Sequence, residues 1–457
     1  MYKVIFIFFL SIIFAEESYH LKSNNLTFDN KTLNLNKNFI LEHDFGIIKA
    51  KNANLENLNK NKLKLTLIDD VSLETTNDTK LNATLAILDL KSSNITFLSD
   101  DKITFFNTLD TKKIKNKNFY IEAKKASCNL NIESYLQKPS LKDVYSIIFT
   151  DEIFAKIDED LKINANTAHF FQENENSNLL LLPKEHKKCL TSYKNSYIYS
   201  KNVKVDLKEN NITMDDVDGE IVDFLKNNEK IVFSSNYMFF NNFENSILLR
   251  NNVILKDSSK KIISDEVELI KKIKNKALHK IITRGNTTID FLNKKTNKKS
   301  TLISKGTIEL DNDRKLISAF TSKKKLTDNL IFQDEMVMLS SKKAYLKYNL
   351  DDTIKEILVK DNVKFTYKKD TNTIGYGVAD IIKYYPKTKI LKLTSNENKR
   401  VLFWQDDDSI HLSADEIIID QKEKESIKAL GDVRCTFNLD EEKFFNEIFS
   451  EYMWSYE

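Results

Sequence analysis

The feature that most constrains this chain is an apolar period of two, which recurs from about Leu21 to Leu439. Leu63, Leu65 and Leu67 alternate with Lys64 and Thr66. Val363, Phe365 and Tyr367 alternate with Lys364 and Thr366, and Ile410, Leu412 and Ala414 with His411 and Ser413. Short alternating runs bounded by Asn, Asp, Gly and Lys put apolar side chains on one face of a half-buried strand. The expected fold class is therefore all-β.

The runs repeat in kind. Asn or Asp precedes Val-x-apolar at Asp70-Val71, Asn202-Val203, Asn252-Val253-Ile254-Leu255, Asn362-Val363-Lys364-Phe365 and Asp432-Val433-Arg434-Cys435. These sites read as turns. In a second phrase a small residue leads into an acidic, apolar strand: Ser264-Asp265-Glu266-Val267, Ala379-Asp380-Ile381 and Ala414-Asp415-Glu416-Ile417-Ile418-Ile419. The alternation slips by one residue there, which marks a bulge or bend able to fold a long sheet over on itself. Spacings of about 32 to about 50 residues between turns predict an elongated stack whose units lean on their neighbours. With only 7 Gly and 3 Pro, Asn, Asp and Lys must make most of the turns, which Asn and Asp do by tolerating left-handed backbone. No Pro/Gly/Ser-rich linker interrupts the pattern. Pro139 to Tyr199 is its least regular stretch and marks the expected junction between an N-terminal repeat region, 16–195, and a C-terminal one, 196–440.

The two ends differ. Lys3, the apolar run Val4 to Phe14 and then Ala15 before Glu16 have the layout of a secretory signal, residues 1–15. The run is shorter than the about 20 residues that span a bilayer, so the chain is expected to be exported. At the other end Phe444, Phe445, Ile448, Phe449, Tyr452 and Met453 share one helical face. Asp440 stands as N-cap, so 441–457 reads as a short amphipathic helix.

Chemistry is sparse. His186-x-x-Cys189 is half a zinc site without a second pair. Asp216-x-Asp218-Gly219 fails as a calcium loop, because Met214 and Leu225 stand at its first and closing positions. Asp406-Asp407-Asp408 reads as a solvated hairpin tip. There is no nucleophile elbow, phosphate loop or dinucleotide fingerprint. The expectation is a protein that is not an enzyme, with no catalytic residue, metal or cofactor. Lys+Arg (70) and Asp+Glu (67) nearly cancel to +3, which gives no case for nucleic acid. Cys128, Cys189 and Cys435 leave open either one disulfide or three buried thiols.

The recurring phrases resemble the OstA-like family, which includes the periplasmic lipopolysaccharide-transport proteins. The matches are Lys280 to Phe291 with Arg284-Gly285-Asn286, Ile354 to Tyr367, His411 to Ile419 and Ile427 to Phe437. They are clearest over roughly 196–440. The chain departs from the family in lacking Gly at most turns: Asn251 and Asp361 stand before Asn252 and Asn362. The resemblance implies antiparallel strands in a V-shaped or twisted β-jellyroll, open at both ends, with an apolar groove. It implies a periplasmic carrier or bridge that shields the acyl chains of lipopolysaccharide or a related glycolipid in transit to the outer membrane. The groove would take Val253, Leu255, Ile289, Phe291, Val363, Phe365 and Tyr367, followed by Val401, Phe403, Ile417, Ile419, Val433 and Phe437. Edge strands at the ends would pair with other envelope transport proteins or with a second copy. The alternative is a cell-surface structural or adhesive β-repeat protein.

Overall fold

The computed structural model describes residues 20–437 apart from 30, 44–45, 57–62, 76–78, 90–91, 93, 110–116, 130–144, 174–175, 223–229, 242–245, 272–277, 294–295, 322–327, 350–351, 369–373, 397–398, 406–409 and 421–425. The expected signal, the Asp406–Asp408 tip and the C-terminal helix lie outside the described residues. Those residues form 33 β-strands. Neighbouring strands pair antiparallel, as in β3 (Thr32–His43) with β4 (Gly46–Glu56) and β26 (Ile354–Lys368) with β27 (Ile374–Tyr385).

The long strands are bent, and each belongs to two ladders. In β19 (Leu278–Leu292), Lys280–Arg284 pairs with β21 (Thr307–Asp311), while Thr287–Leu292 pairs with β20 (Lys299–Ser304). In β26, Ile354–Lys360 pairs with β25 (Lys343–Tyr348) and Lys364–Tyr367 with β24 (Val337–Ser341). Register breaks at the middle of these strands, between Lys360 and Val363 for instance.

Three of the five Asn/Asp phrases sit at such breaks, at Asp70, Asn252 and Asn362; Asn202 instead opens the strand Asn202–Asp206, and Asp432 lies between the strands Ser426–Leu430 and Arg434–Phe437. Asp69 and Asp70, Asp151 and Glu152, Asn251 and Asn252, and Asp361 and Asn362 all have φ between 52° and 69°. They are therefore corners inside strands rather than turns between strands, which corrects the reading of Asp70, Asn252 and Asn362 as turns. Two successive left-handed residues swing the chain out of one ladder and into the other, and Asn and Asp accept that backbone more readily than other non-glycine residues. Apolar side chains face inward on both sides of the corner, as with Val359 before Asp361 and Val363 after Asn362.

The small-residue phrase forms the alternate corner. In β18 (Lys260–Lys271), Ile262 and Ser264 are buried, then Val267 and Leu269, so the inward phase slips by one as expected. The Asp that follows clasps the corner of the next strand. Asp265 Oδ2 accepts the backbone N–H of Asn286 at 2.7 Å and its Nδ2 at 2.9 Å. Gly285 beside it has φ +86°, and a Cβ there would lie 2.5 Å from Asp265 Oδ2. Asp380 accepts the backbone N–H of Asn396 at 3.0 Å and Lys399 Nζ at 3.0 Å.

The chain divides into two compact units. Unit 1 comprises 1–223 with 235–245; unit 2 comprises 224–234 with 246–457. The stretch read as an irregular junction, Pro139 to Tyr199, belongs to unit 1. Strands β9 (Tyr145–Ile157), β10 (Leu161–Glu173), β11 (Asn176–Leu182), β12 (Cys189–Tyr193) and β13 (Ser196–Ser200) run through it. What disturbs its pattern is the excursion between β11 and β12, which carries Pro183 and the exposed residues Lys184 to Lys188. All three cysteines are free. Burial raises the Cys128 thiol to about 12 and that of Cys189 to about 11, whereas Cys435 is exposed rather than buried.

Candidate functional site

In unit 2 the crossing strands β17 (Ser246–Lys256), β18, β19, β26 and β27 feed two ladders. Ladder A continues through β21, β22 (Leu316–Phe320), β25, β28 (Ile390–Thr394), β31 (Glu416–Asp420) and β32 (Ser426–Leu430). Ladder B continues through β20, β23 (Leu330–Gln333), β24, β29 (Val401–Gln405), β30 (Ile410–Ala414) and β33 (Arg434–Phe437).

The groove candidates collect on the inner faces. Val253, Leu255, Ile289, Phe291, Val363, Phe365, Tyr367, Val401 and Phe403 are buried on ladder B; Ile417 and Ile419 are buried on ladder A. Val433 lies between β32 and β33 and is exposed. The side chain of Phe437 is outside the described residues.

Ladder B presents an aromatic wall. The rings of Phe365, Tyr367 and Phe403 lie nearly parallel, at 15–21°, with centroids 6.0–6.4 Å apart. They rest on glycine: Phe365 pairs with Gly377, and Tyr367 with Gly375. A Cβ on either glycine would overlap the ring above it. The sequence signal for this wall is Gly375-x-Gly377 opposite Phe365-x-Tyr367, glycine being the residue that lets a cross-strand ring lie flat.

Among the described residues the interior is least covered at the last strands. Phe403 pairs with Leu412, and Leu412 with Cys435. Along that row Phe403 is buried, Leu412 half-buried and Cys435 exposed. On ladder A the buried Ile419 pairs with the half-buried Ile427, and the buried Ile417 with the half-buried Ala429. Apolar side chains on the inner faces thus reach solvent at this end.

The outer face of ladder A is laced with charge. Arg250 Nε and Arg284 Nη1 each donate to Glu266 at 2.8 Å, and Arg284 Nη2 to Glu268 at 2.8 Å. Burial alone would raise the Glu266 carboxyl, but the two guanidinium groups outweigh it and hold the carboxyl below its usual range. Arg284, part of the family-like Arg-Gly-Asn phrase, is thus engaged in an ion network.

Other sequence candidates do not converge. His186 is exposed while Cys189 is buried, with its Sγ 3.7 Å from the Leu181 carbonyl oxygen. Lys188 Nζ lies 2.5 Å from Asp218 and 3.5 Å from Asp216. One grouping escaped the sequence reading: His279, Asp311 and Asp313 bring ligand-type atoms within 4.8 Å of one another. His279 Nδ1 lies 2.6 Å from Asp313 Oδ2, while Asp311 Oδ1 caps its own turn by accepting the N–H groups of Asp313 and Arg314 at 3.0 Å each. These contacts lock the β21–β22 turn onto the start of β19. The residues are dispersed in sequence, so no spacing announces them.

No family model and no curated protein matches this chain. Among solved structures it is similar to LptH of Pseudomonas aeruginosa, the LptA homologous periplasmic component of a lipopolysaccharide transport device. The identity is 9% and the TM-score 0.26, over 31% of this chain and 95% of that one.

Proposed function

We propose that this chain is an exported carrier or bridge that holds the acyl chains of lipopolysaccharide or a related glycolipid between the two ladders, on their way to an outer membrane. The observation that carries this reading is the interior of unit 2. It is apolar along both ladders, and its inner row reaches solvent at Leu412, Ile427 and Cys435. Each methylene exposed to water costs about 0.8 kcal/mol, so a chain of about a dozen costs on the order of 10 kcal/mol to move unprotected. An inner face of Phe, Tyr, Val and Ile removes that cost and requires no catalytic group. The family-like phrases at Ile354–Tyr367 and His411–Ile419 form part of these walls, which supports the same reading. The lipid-facing residues would be Val363, Phe365, Tyr367, Val401 and Phe403 on ladder B, with Ile417 and Ile419 opposite.

The test is a photo-crosslinking residue placed at Leu412 and, separately, at Phe365 in protein expressed in its own envelope. Glycolipid adducts at both positions, identified by mass spectrometry, are the expected result. Intact, exported protein that yields no lipid adduct at either position overturns the reading.

A further inference from the structure

On one flank of unit 2 the ladders are joined covalently at the strand corners. On the opposite flank each hairpin tip returns to the ladder it came from: Asp257–Ser259 and Asp334–Met336 belong to ladder B, Asp352–Thr353 and Pro386–Lys389 to ladder A. Among the described residues no backbone connection crosses between ladders there. Side chains do. The buried Ser259 hydroxyl at the first B tip lies 3.0 Å from Asp257 Oδ1 of its own tip and 3.1 Å from Asp352 Oδ2 at an A tip, 93 residues away in sequence, so its one proton is shared between the two carboxylates. Lys260 Nζ sits 3.1 Å from Asp257 and 3.9 Å from Asp352, balancing the two carboxylates. Farther along, the hydroxyl of Tyr384 on ladder A donates to Asp334 Oδ2 at 2.8 Å, at a B tip. Its ring is fully buried and pairs with the buried Ile357, so the apolar interior begins directly behind the tie.

We propose that this free flank is a seam through which lipid enters unit 2 sideways, and that the Ser259–Asp352 and Tyr384–Asp334 ties are the catch that closes it. The proposal rests on the carrier reading. An amphiphile that enters sideways keeps its polar head in water beside the tips while its acyl chain passes between the ladders. Entry through the end at β32 and β33 would instead require the head to travel alongside the chain from there. The catch is polar on both sides, so water satisfies its groups when the tips part, whereas parting the corners would break backbone ladder bonds.

The experiment replaces Ser259 and Asp352 with cysteine in a Cys435→Ser background, with an oxidised and a reduced form prepared from the same folded protein. The probe is a long-chain fatty acid carrying a polarity-sensitive fluorophore. Uptake slowed about tenfold or more on oxidation and restored by reduction is expected, as for a closed lid. In the otherwise native chain, Tyr384→Phe should speed uptake without changing the amount bound at saturation. Equal uptake in oxidised and reduced forms overturns the seam and assigns entry to the end of the stack. Failure of every form, native included, to take up probe overturns the carrier reading itself.

Discussion

Unit 1 and unit 2 use the same bent antiparallel strands but fill their interiors differently. In unit 1, Phe105 of β7 (Asn94–Leu109) and Phe119 of β8 (Lys117–Asn129) belong to one ladder, and Phe149 and Phe170 to the other. Their rings interlock across the gap. Phe105 meets Phe149 and Phe170 at 5.2 Å, with interplanar angles of 61° and 55°. In unit 2 the rings of Phe365, Tyr367 and Phe403 all belong to ladder B and lie side by side along it. Edge-on rings from both sides tie two sheets together. Rings laid flat on one sheet form a wall that the other sheet can leave. This contrast makes unit 2 the candidate for a separable interior and unit 1 the candidate for a fixed core.

The largest effect should fall on the interlocked rings. Phe105→Ala empties a site with ring contacts on both ladders and should cost about 3–5 kcal/mol, read by chemical denaturation. Phe403→Ala should cost less, since its ring neighbours among the described residues lie on one ladder. Equal losses would erase the distinction between the units. A smaller effect is expected at the glycine seats. Gly377→Ala forces its methyl into the Phe365 ring and should destabilise unit 2 by about 1–3 kcal/mol. The same change should also alter lipid crosslinking at Phe365, because the wall no longer lies flat. An unchanged midpoint would mean that the rings tilt away freely.

The strand pattern was legible because alternation is local. Leu63–Leu67 and Val363–Tyr367 display their buried face in the sequence itself, and the apolar residues of both runs are buried. The slip at Ser264-Asp265 was legible for the same reason. The role of the paired Asn/Asp positions was not: Asp361-Asn362 and Asn251-Asn252 look like turn residues, and only the pairing partners on either side show that the strand continues through them. The inner-face candidates were found in part, since Val363, Phe365 and Phe403 are apolar at alternate positions. The flat ring geometry and the glycine seats depend on register between strands, which a single strand does not encode. The ties at the free flank were invisible, because Ser259 and Asp352 come together only when two ladders stack.

The corners offer the finest test of the comparison. In unit 2 the alternate corner is a small residue followed by aspartate, at Ser264-Asp265, Ala379-Asp380 and Ala414-Asp415. In unit 1 the corresponding small residues are followed by other side chains, as at Ala50-Lys51, Ala83-Thr84 and Ala123-Lys124. At Ser264-Asp265 and Ala379-Asp380 a carboxylate clasps the corner, and acid should reach these corners without affecting those at Ala50 and Ala123. The Asn396 N–H, with Lys399, holds the Asp380 carboxyl below its ordinary 3.8 despite burial. A depressed folded-state value means that the clasp contributes fully above about 3.8 and is lost as pH falls through the lower folded value. Hydrogen exchange at the Asn396 amide, corrected for its intrinsic pH dependence, should lose protection in that window while the Ala50 and Ala123 corners keep theirs. Asp380→Asn should remove the pH step and cost about 1 kcal/mol at neutral pH. Protection at Asn396 that is insensitive to both acid and this substitution would reduce the clasp to a bystander, leaving the aromatic geometry alone to separate the two units.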